Sequence, residues 1–205
     1  MYLEQEIETY TVTAITEADY GCEETGRTGP TALLKLKSDR NTNIERYVEV
    51  SEKVLSERGI SEGKRVCYAV NGELLKFVRV VAAVITRSEN GKEEIFATAR
   101  GYGDYKGWWE FPGGKIETGE TPQVALAREI REELTAEIKV GEFLKTLEYD
   151  YPTFHLSMDC FRATVESGEL VLKEAESAKW LALDELDEVN WLPADLILVE
   201  QLKQR

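Results

Sequence analysis

The longest apolar stretch of the chain, Phe77-Val78-Arg79-Val80-Val81-Ala82-Ala83-Val84-Ile85, is short, rich in β-branched residues and bounded by polar ones. This pattern predicts a well-buried strand. Ahead of it, Glu6 to Ile15, Thr31 to Lys37, Arg46 to Val50, Arg65 to Val70 and Glu73 to Leu75 read as strands. Tyr20-Gly21, Gly26 to Pro30 and Ser38 to Asn43 supply the turn-forming residues between them. Ser51 stands where it would cap a short helix reaching about Arg58, with Gly59 as its stop. Residues 1–76 are therefore expected to form a small β-rich domain carrying no chemical motif, with a structural role or a homodimer contact. Residues 77–205 form a second domain: a strand, the turn signal Asn90-Gly91 before a strand over Glu94 to Arg100, a glycine-rich loop, a helix, several strands, and a last helix from about Pro193 to Lys203. The class is mixed α/β (α+β).

Composition narrows the chemistry. A chain of 205 residues, 42% hydrophobic and 31% charged, is long enough for one good core plus a small domain and has a globular balance. No apolar run approaches the roughly 18 to 20 residues of a membrane span, and the acidic start Met1-Tyr2-Leu3-Glu4-Gln5-Glu6 lacks a signal-peptide pattern. A cytoplasmic protein is expected. Cys22, Cys67 and Cys160 are far apart and His155 is the single histidine, which argues against zinc and against triad nucleophiles unless His155 alone serves. Carboxylates remain. A net charge of −14 disfavours long nucleic acid, whose binding depends on Lys and Arg at phosphates. An acidic protein that holds a short polyphosphate needs divalent cations between its carboxylates and the substrate oxygens.

The informative segment runs from Phe111 to Leu134. Thr121-Pro122 is a helix start, with a capping hydroxyl followed by proline at the first helical position, which predicts a helix over Pro122 to Leu134. At 100° per residue, Leu126, Ala127, Ile130 and Leu134 share one face, and Glu129, Glu132 and Glu133 share an arc of about 100° on the other. Like charges at this spacing repel by a few tenths of a kcal/mol per pair and oppose the helix dipole, so stability alone would not select them. A solvated acidic face relieved by Arg128 and Arg131 is the plain alternative. The preceding Gly113-Gly114 argues against it, because a tight turn there brings backbone carbonyls to the helix, and Lys115 can reach phosphate oxygens. Hard oxygen donors without histidine or thiolate suit Mg²⁺ or Mn²⁺.

Gly114, Glu120, Arg128, Glu129, Ile130, Glu132 and Glu133 fall at the spacing of the Nudix signature, and on these residues the chain resembles the Nudix superfamily. Thr135 stands where that signature has glycine, and Ala136 is small for its aliphatic position. The resemblance extends from about Phe77 to the C-terminus. Through Trp109 to Glu117, Leu147 to Pro152, Lys173-Glu174 ahead of Trp180, and Leu192 to Asp195, it is closest to the MutT-like nucleoside triphosphate pyrophosphohydrolases. It implies the Nudix α/β/α sandwich with a mixed sheet, and hydrolysis of a small nucleotide to a nucleoside monophosphate and pyrophosphate.

By the same resemblance, Glu129, Glu132, Glu133, Glu174 and the Gly113 carbonyl bind metal. Glu129 or Glu174 takes the water's proton, and Arg128 orients a neighbouring glutamate. Glu129, Glu133, Glu174 and Arg128 form the expected catalytic set. Arg100 and Lys115 would contact phosphates, with solvated surface charges as the alternative. Asp195 would read the base. An ionised Asp only accepts hydrogen bonds and so suits the amino group of a cytosine-type base, an oxidised purine triphosphate coming next and a plain helix-terminal cap third. Phe111, Tyr151 and the pair Trp108-Trp109 would either stack the base or pack in the core. Hydrolysis of a nucleotide sugar or a dinucleoside polyphosphate is a related expectation. A non-catalytic nucleotide sensor is a different one, and sensors of that kind commonly lack some of the metal glutamates, all of which are present here.

Overall fold

Strand alternation in the N-terminal half places Ala32, Leu34 and Leu36 on one face and Lys35 and Lys37 on the other, so one face of a sheet must find a core. In the computed structural model, which describes residues 7–17 and 29–204, it does so. Cys22, the turn signals at Tyr20-Gly21 and Gly26, and residues 1–6 lie outside the described residues. The chain divides into two compact units, one made of the described residues up to Val78 together with Asp150–Leu156, the other of Arg79–Tyr149 and the described residues from Ser157 onward.

In the first unit, β1 (Thr9–Glu17), β2 (Thr31–Ser38), β3 (Glu45–Ser51) and β4 (Arg65–Tyr68) form an antiparallel sheet in the order β4-β1-β2-β3. Its core gathers Tyr10, Val12, Leu34, Leu36 and Val66. The helix α1 (Glu52–Arg58) adds Leu55 to that core. Ser51 occupies the N-cap position of α1 but makes no side-chain capping bond, and the left-handed Gly59 (φ 59°) ends the helix.

The stretches around Glu73 to Leu75 and Phe77 to Ile85, read as two strands, form one longer strand, β5 (Leu74–Glu89). Asn90 and Gly91, both with positive φ, make the two-residue turn into β6 (Lys92–Ala99), as Asn-Gly predicts. The second unit continues with β7 (Trp109–Glu110) on β6, β8 (Gly113–Lys115) on β5, and α2 (Pro122–Leu134). The hairpin β9 (Glu137–Asp150) and β10 (Phe154–Ser167), β11 (Ser177–Ala182) on β6, and α3 (Pro193–Leu202) complete it.

Val81, Ala83 and Ile85 pack against Ala125, Leu126, Ile130 and Leu134 of α2, and Ala125 rather than Ala127 completes the buried helix face. Ala82 and Val84, on the opposite face by the two-residue pleat, are equally buried. Each large side chain so buried contributes about 1.5–3 kcal/mol, which fixes α2 against the sheet. The architecture of the second unit is a mixed sheet between helices. Among the described residues no helix is long and apolar enough to cross a membrane, a statement that leaves β-barrels aside.

Thr121 caps α2 by accepting the Val124 N–H, and Thr135 ends it in the left-handed region at φ 58°. A β-branched residue there is strained by about 1–2 kcal/mol, offset in part by the hydroxyl's bond to the Glu169 carbonyl. Thr135→Gly is expected to stabilise the fold by about 1 kcal/mol in urea unfolding. A loss of stability would show that the hydroxyl bond outweighs the strain.

Candidate active site

The glycine pair does its work through missing side chains and not through a turn. Gly113 and Gly114 are extended residues of β8, which corrects the expected tight turn. A Cβ on Gly113 would lie 2.0 Å from the Val81 carbonyl oxygen. A Cβ on Gly114 would lie 2.3 Å from the carboxyl carbon of Glu129, so the bare backbone of Gly114 forms the cradle of that carboxylate.

Arg128 ties the segment together. Its guanidinium grips both oxygens of Glu120 at 2.8 Å and donates to the Lys115 carbonyl at 3.0 Å. It also donates to Glu129 at 2.9 Å and to Glu132 at 3.2 Å. Glu120 in turn accepts the Glu117 N–H, and hydrogen bonding to Arg128 draws its carboxyl down to about 2. Glu120 and Arg128, two fixed residues of the signature, thus hold Glu129 and Glu132 in place. Glu120 was missed as a positioning group, although its fixed place in the motif was the signal for it.

The end of α2 leaves carbonyls without helical partners. The Lys173 N–H donates to the Glu133 carbonyl and the Val171 N–H to that of Leu134, while the Glu176 N–H donates to Ala99. This lacing delivers Glu174 to a cleft lined by Thr98, Arg100, Gly101, Tyr102, Glu110, Glu133, Leu134, Glu174 and Ala175. Gly101 permits the approach, since a Cβ there would stand 2.8 Å from the Glu174 carbonyl oxygen. Burial, then the negative charges of Glu129, Glu174 and Glu110, push the Glu133 carboxyl up to about 7, with Arg100 opposing. Burial also raises the Glu110 carboxyl. Glu110 had been given no role from the sequence, and alternation along the two-residue β7 is too short a signal to have found it.

Of the residues the sequence names, the fold sets Glu133, Glu174 and Arg100 around one cleft, and the charge of Glu129 acts on Glu133 from beside Gly114. Glu132 does not line that cleft: its side chain is 60% exposed and shares the Arg128 Nη1 with Glu129. Lys115 is exposed on β8. Phe111 is buried and stacks on Trp191 with ring centres 4.8 Å apart, a core position. Trp108 packs edge-on against Tyr105, and Lys179 sits over the Trp109 ring. Tyr151 belongs to the first unit, where it stacks on Phe154, and His155 of that unit bonds Asp150 at 2.5 Å and stacks on Phe77.

Asp195 lies in the first turn of α3, 4% exposed, and accepts the Phe111 N–H at 2.9 Å. Burial raises its carboxyl from 3.8 to about 7, against the pull of that hydrogen bond. The folded chain therefore holds this proton more tightly than the unfolded one. Its contribution to stability is fully present at acid pH and is lost as pH climbs from 3.8 through about 7. Asp195→Asn should gain on the wild type by about 3 kcal/mol between about pH 4 and about pH 8, measured by urea unfolding at each pH. A difference that does not change with pH would mean that Asp195 is ionised throughout.

Among the described residues no three carboxylates, histidines or cysteines already converge as a metal cage. The donor chemistry nevertheless fits a hard divalent cation. The groups named around the buried Glu133 carboxyl are carboxylates apart from Arg100, and that excess of negative charge favours a bound cation or a proton.

The NUDIX domain profile matches residues 76–202. The 8-oxo-dGTP diphosphatase of Escherichia coli K12 is 34% identical over 125 residues, 60% of this chain and 95% of that protein. The CTP pyrophosphohydrolase of the same organism is 33% identical over 126 residues, 62% of this chain and 92% of that protein. The crystal structure of a MutT NUDIX hydrolase from Burkholderia pseudomallei superposes with a TM-score of 0.55 at 27% identity, over 62% of this chain and 98% of that one. The chain belongs to the NUDIX family, as a MutT-like hydrolase, and enzymes of this family generally use divalent metal ions.

Proposed function

We propose that the enzyme hydrolyses a nucleoside triphosphate to the monophosphate and pyrophosphate in the presence of Mg²⁺ or Mn²⁺, in the cytoplasm. The observation that carries this reading is the cleft lined by Glu133, Glu174 and Glu110, with the charge of the cradled Glu129 acting on Glu133. Glu129, Glu133 and Glu174 would hold the ion, with Glu132 and the Gly113 carbonyl at its outer reach. When bound, a divalent ion polarises phosphoryl oxygens and acidifies the attacking water.

The protein's own part is placement. Arg128 and Gly114 fix Glu129, leaving Glu129 Oε2 or Glu174 to accept the water's proton. Arg100 and Lys115 are the cations for the phosphates, and residues 1–76 are an accessory β-rich domain. For the base, ionised Asp195 accepts from a cytosine-type amino group, the first reading. A carboxyl raised to about 7 is also half protonated near neutrality and can donate, which favours an oxidised guanine as the second. The names of the two relatives match these two bases.

The deciding experiment incubates purified protein with Mg²⁺ and a panel of CTP, dCTP, 5-methyl-dCTP, 8-oxo-dGTP, a nucleotide sugar and a dinucleoside polyphosphate, reading pyrophosphate against phosphate. Pyrophosphate from a triphosphate supports the proposal. Turnover confined to the sugar or the dinucleotide refutes it.

A further inference from the structure

Apart from Arg100, every charged side chain lining the cleft is a carboxylate. Its Nη1 lies 3.4 Å from Glu110 Oε2, and the two side chains are 34% and 29% exposed. An ion pair at that exposure adds little to stability. Glu110 moreover adds a further negative charge beside Glu133, where carboxylates already repel. A stability argument would leave Arg100 there alone.

The backbone holds both partners in one frame. Thr98 pairs with Glu110 across β6 and β7, and its hydroxyl donates to the Glu110 carbonyl at 3.4 Å. The Arg100 N–H donates to Trp108 at 2.9 Å, and its carbonyl accepts from Gly107 at 2.8 Å. The guanidinium carbon lies 5.7 Å from the Tyr102 ring centre. A guanidinium has five donors in a fixed plane, so a carboxylate that engages one edge determines where the others point.

We propose that Glu110 is a positioning residue: it orients the Arg100 guanidinium so that the remaining N–H groups receive the polyphosphate of the substrate. The inference rests on reading the cleft as a nucleoside triphosphate site. It differs from a metal-binding role for Glu110, because Glu110 then acts only through Arg100.

The test is a double-mutant cycle on the full chain with Arg100→Ala, Glu110→Ala and both together. Binding of α,β-methylene-dCTP and α,β-methylene-dGTP is measured by calorimetry at saturating Mg²⁺, with KM, kcat and the half-saturating Mg²⁺ concentration where turnover is found. Each single change should weaken analogue binding by about tenfold or more, and the double variant should bind no more weakly than Arg100→Ala. KM should rise more than kcat falls, and the Mg²⁺ requirement should stay constant. Glu110→Gln keeps the shape of the side chain and carries the same expectation if the alanine variant does not fold. Losses that multiply in the double variant, or a raised Mg²⁺ requirement in Glu110→Ala, overturn the inference and leave the hydrolase reading standing. Analogue binding by a wild type that releases no pyrophosphate sinks the hydrolase reading, while the cycle still judges Glu110. A wild type that binds neither analogue ends both.

Discussion

Glutamine at position 133 should lower turnover by about a thousandfold or more while the protein folds as before. The substitution keeps the shape of the side chain but removes the charge from the half-buried end of α2, where Glu129, Glu174 and Glu110 face it. Burial raises the Glu133 carboxyl, so the neutral amide should not harm folding, and thermal unfolding should be at or above the wild-type temperature. On the proposed reading Glu133 would hold a divalent cation that supplies several kcal/mol of transition-state stabilisation, and each 1.4 kcal/mol is about tenfold in rate. Near-normal turnover by Glu133→Gln in a Mg²⁺-saturated assay would remove Glu133 from the site.

Two adjacent glycines should fail in different ways. At Gly113 an added methyl meets backbone, 2.0 Å from the Val81 oxygen and 2.9 Å from the Ala82 Cα, so β8 must part from β5. Gly113→Ala is expected to cost about 3 kcal/mol or more of stability, read from urea unfolding. At Gly114 the methyl meets only the end of the Glu129 side chain, 2.3 Å from its carboxyl carbon, and that side chain can swing away. Gly114→Ala should fold within about 1 kcal/mol of the wild type yet lose about a hundredfold in kcat, because a displacement of about 1 Å in a reacting group has that effect. The reverse pattern, a stable Gly113→Ala and an unfolded Gly114→Ala, would contradict the packing described for β8.

What the sequence made legible follows the range of the forces involved. Local signals were sufficient for α2, whose limits Thr121-Pro122 and Leu134 were readable from a cap and a period, and for the turn at Asn90-Gly91. The carboxylates at 129 and 133 came from helical geometry plus the family resemblance. Three features depended on contacts distant in sequence and were hidden. Glu110 is turned toward Glu133 by the pairing of β7 with β6, which no local period announces. The glycine pair looks like a turn in isolation and becomes a strand only when β5 lies beside it. Asp195 shows no sign of burial in the sequence, since its partner is a backbone N–H 84 residues away. Glu132 stays beside Glu129, as the helical wheel has it, with one Arg128 nitrogen donating to both, although its side chain is 60% exposed.

The bond between Asp195 and the Phe111 N–H joins the last helix to the strand segment that reaches Gly113 two residues later. If Asp195 reads the base as proposed, redesigning the start of α3 to change nucleotide selectivity would therefore pull on the same stretch of main chain that cradles Glu129. Selectivity variants at position 195 should show altered catalytic rates even toward substrates they still accept, and successful ones will need a compensating acceptor for that single amide.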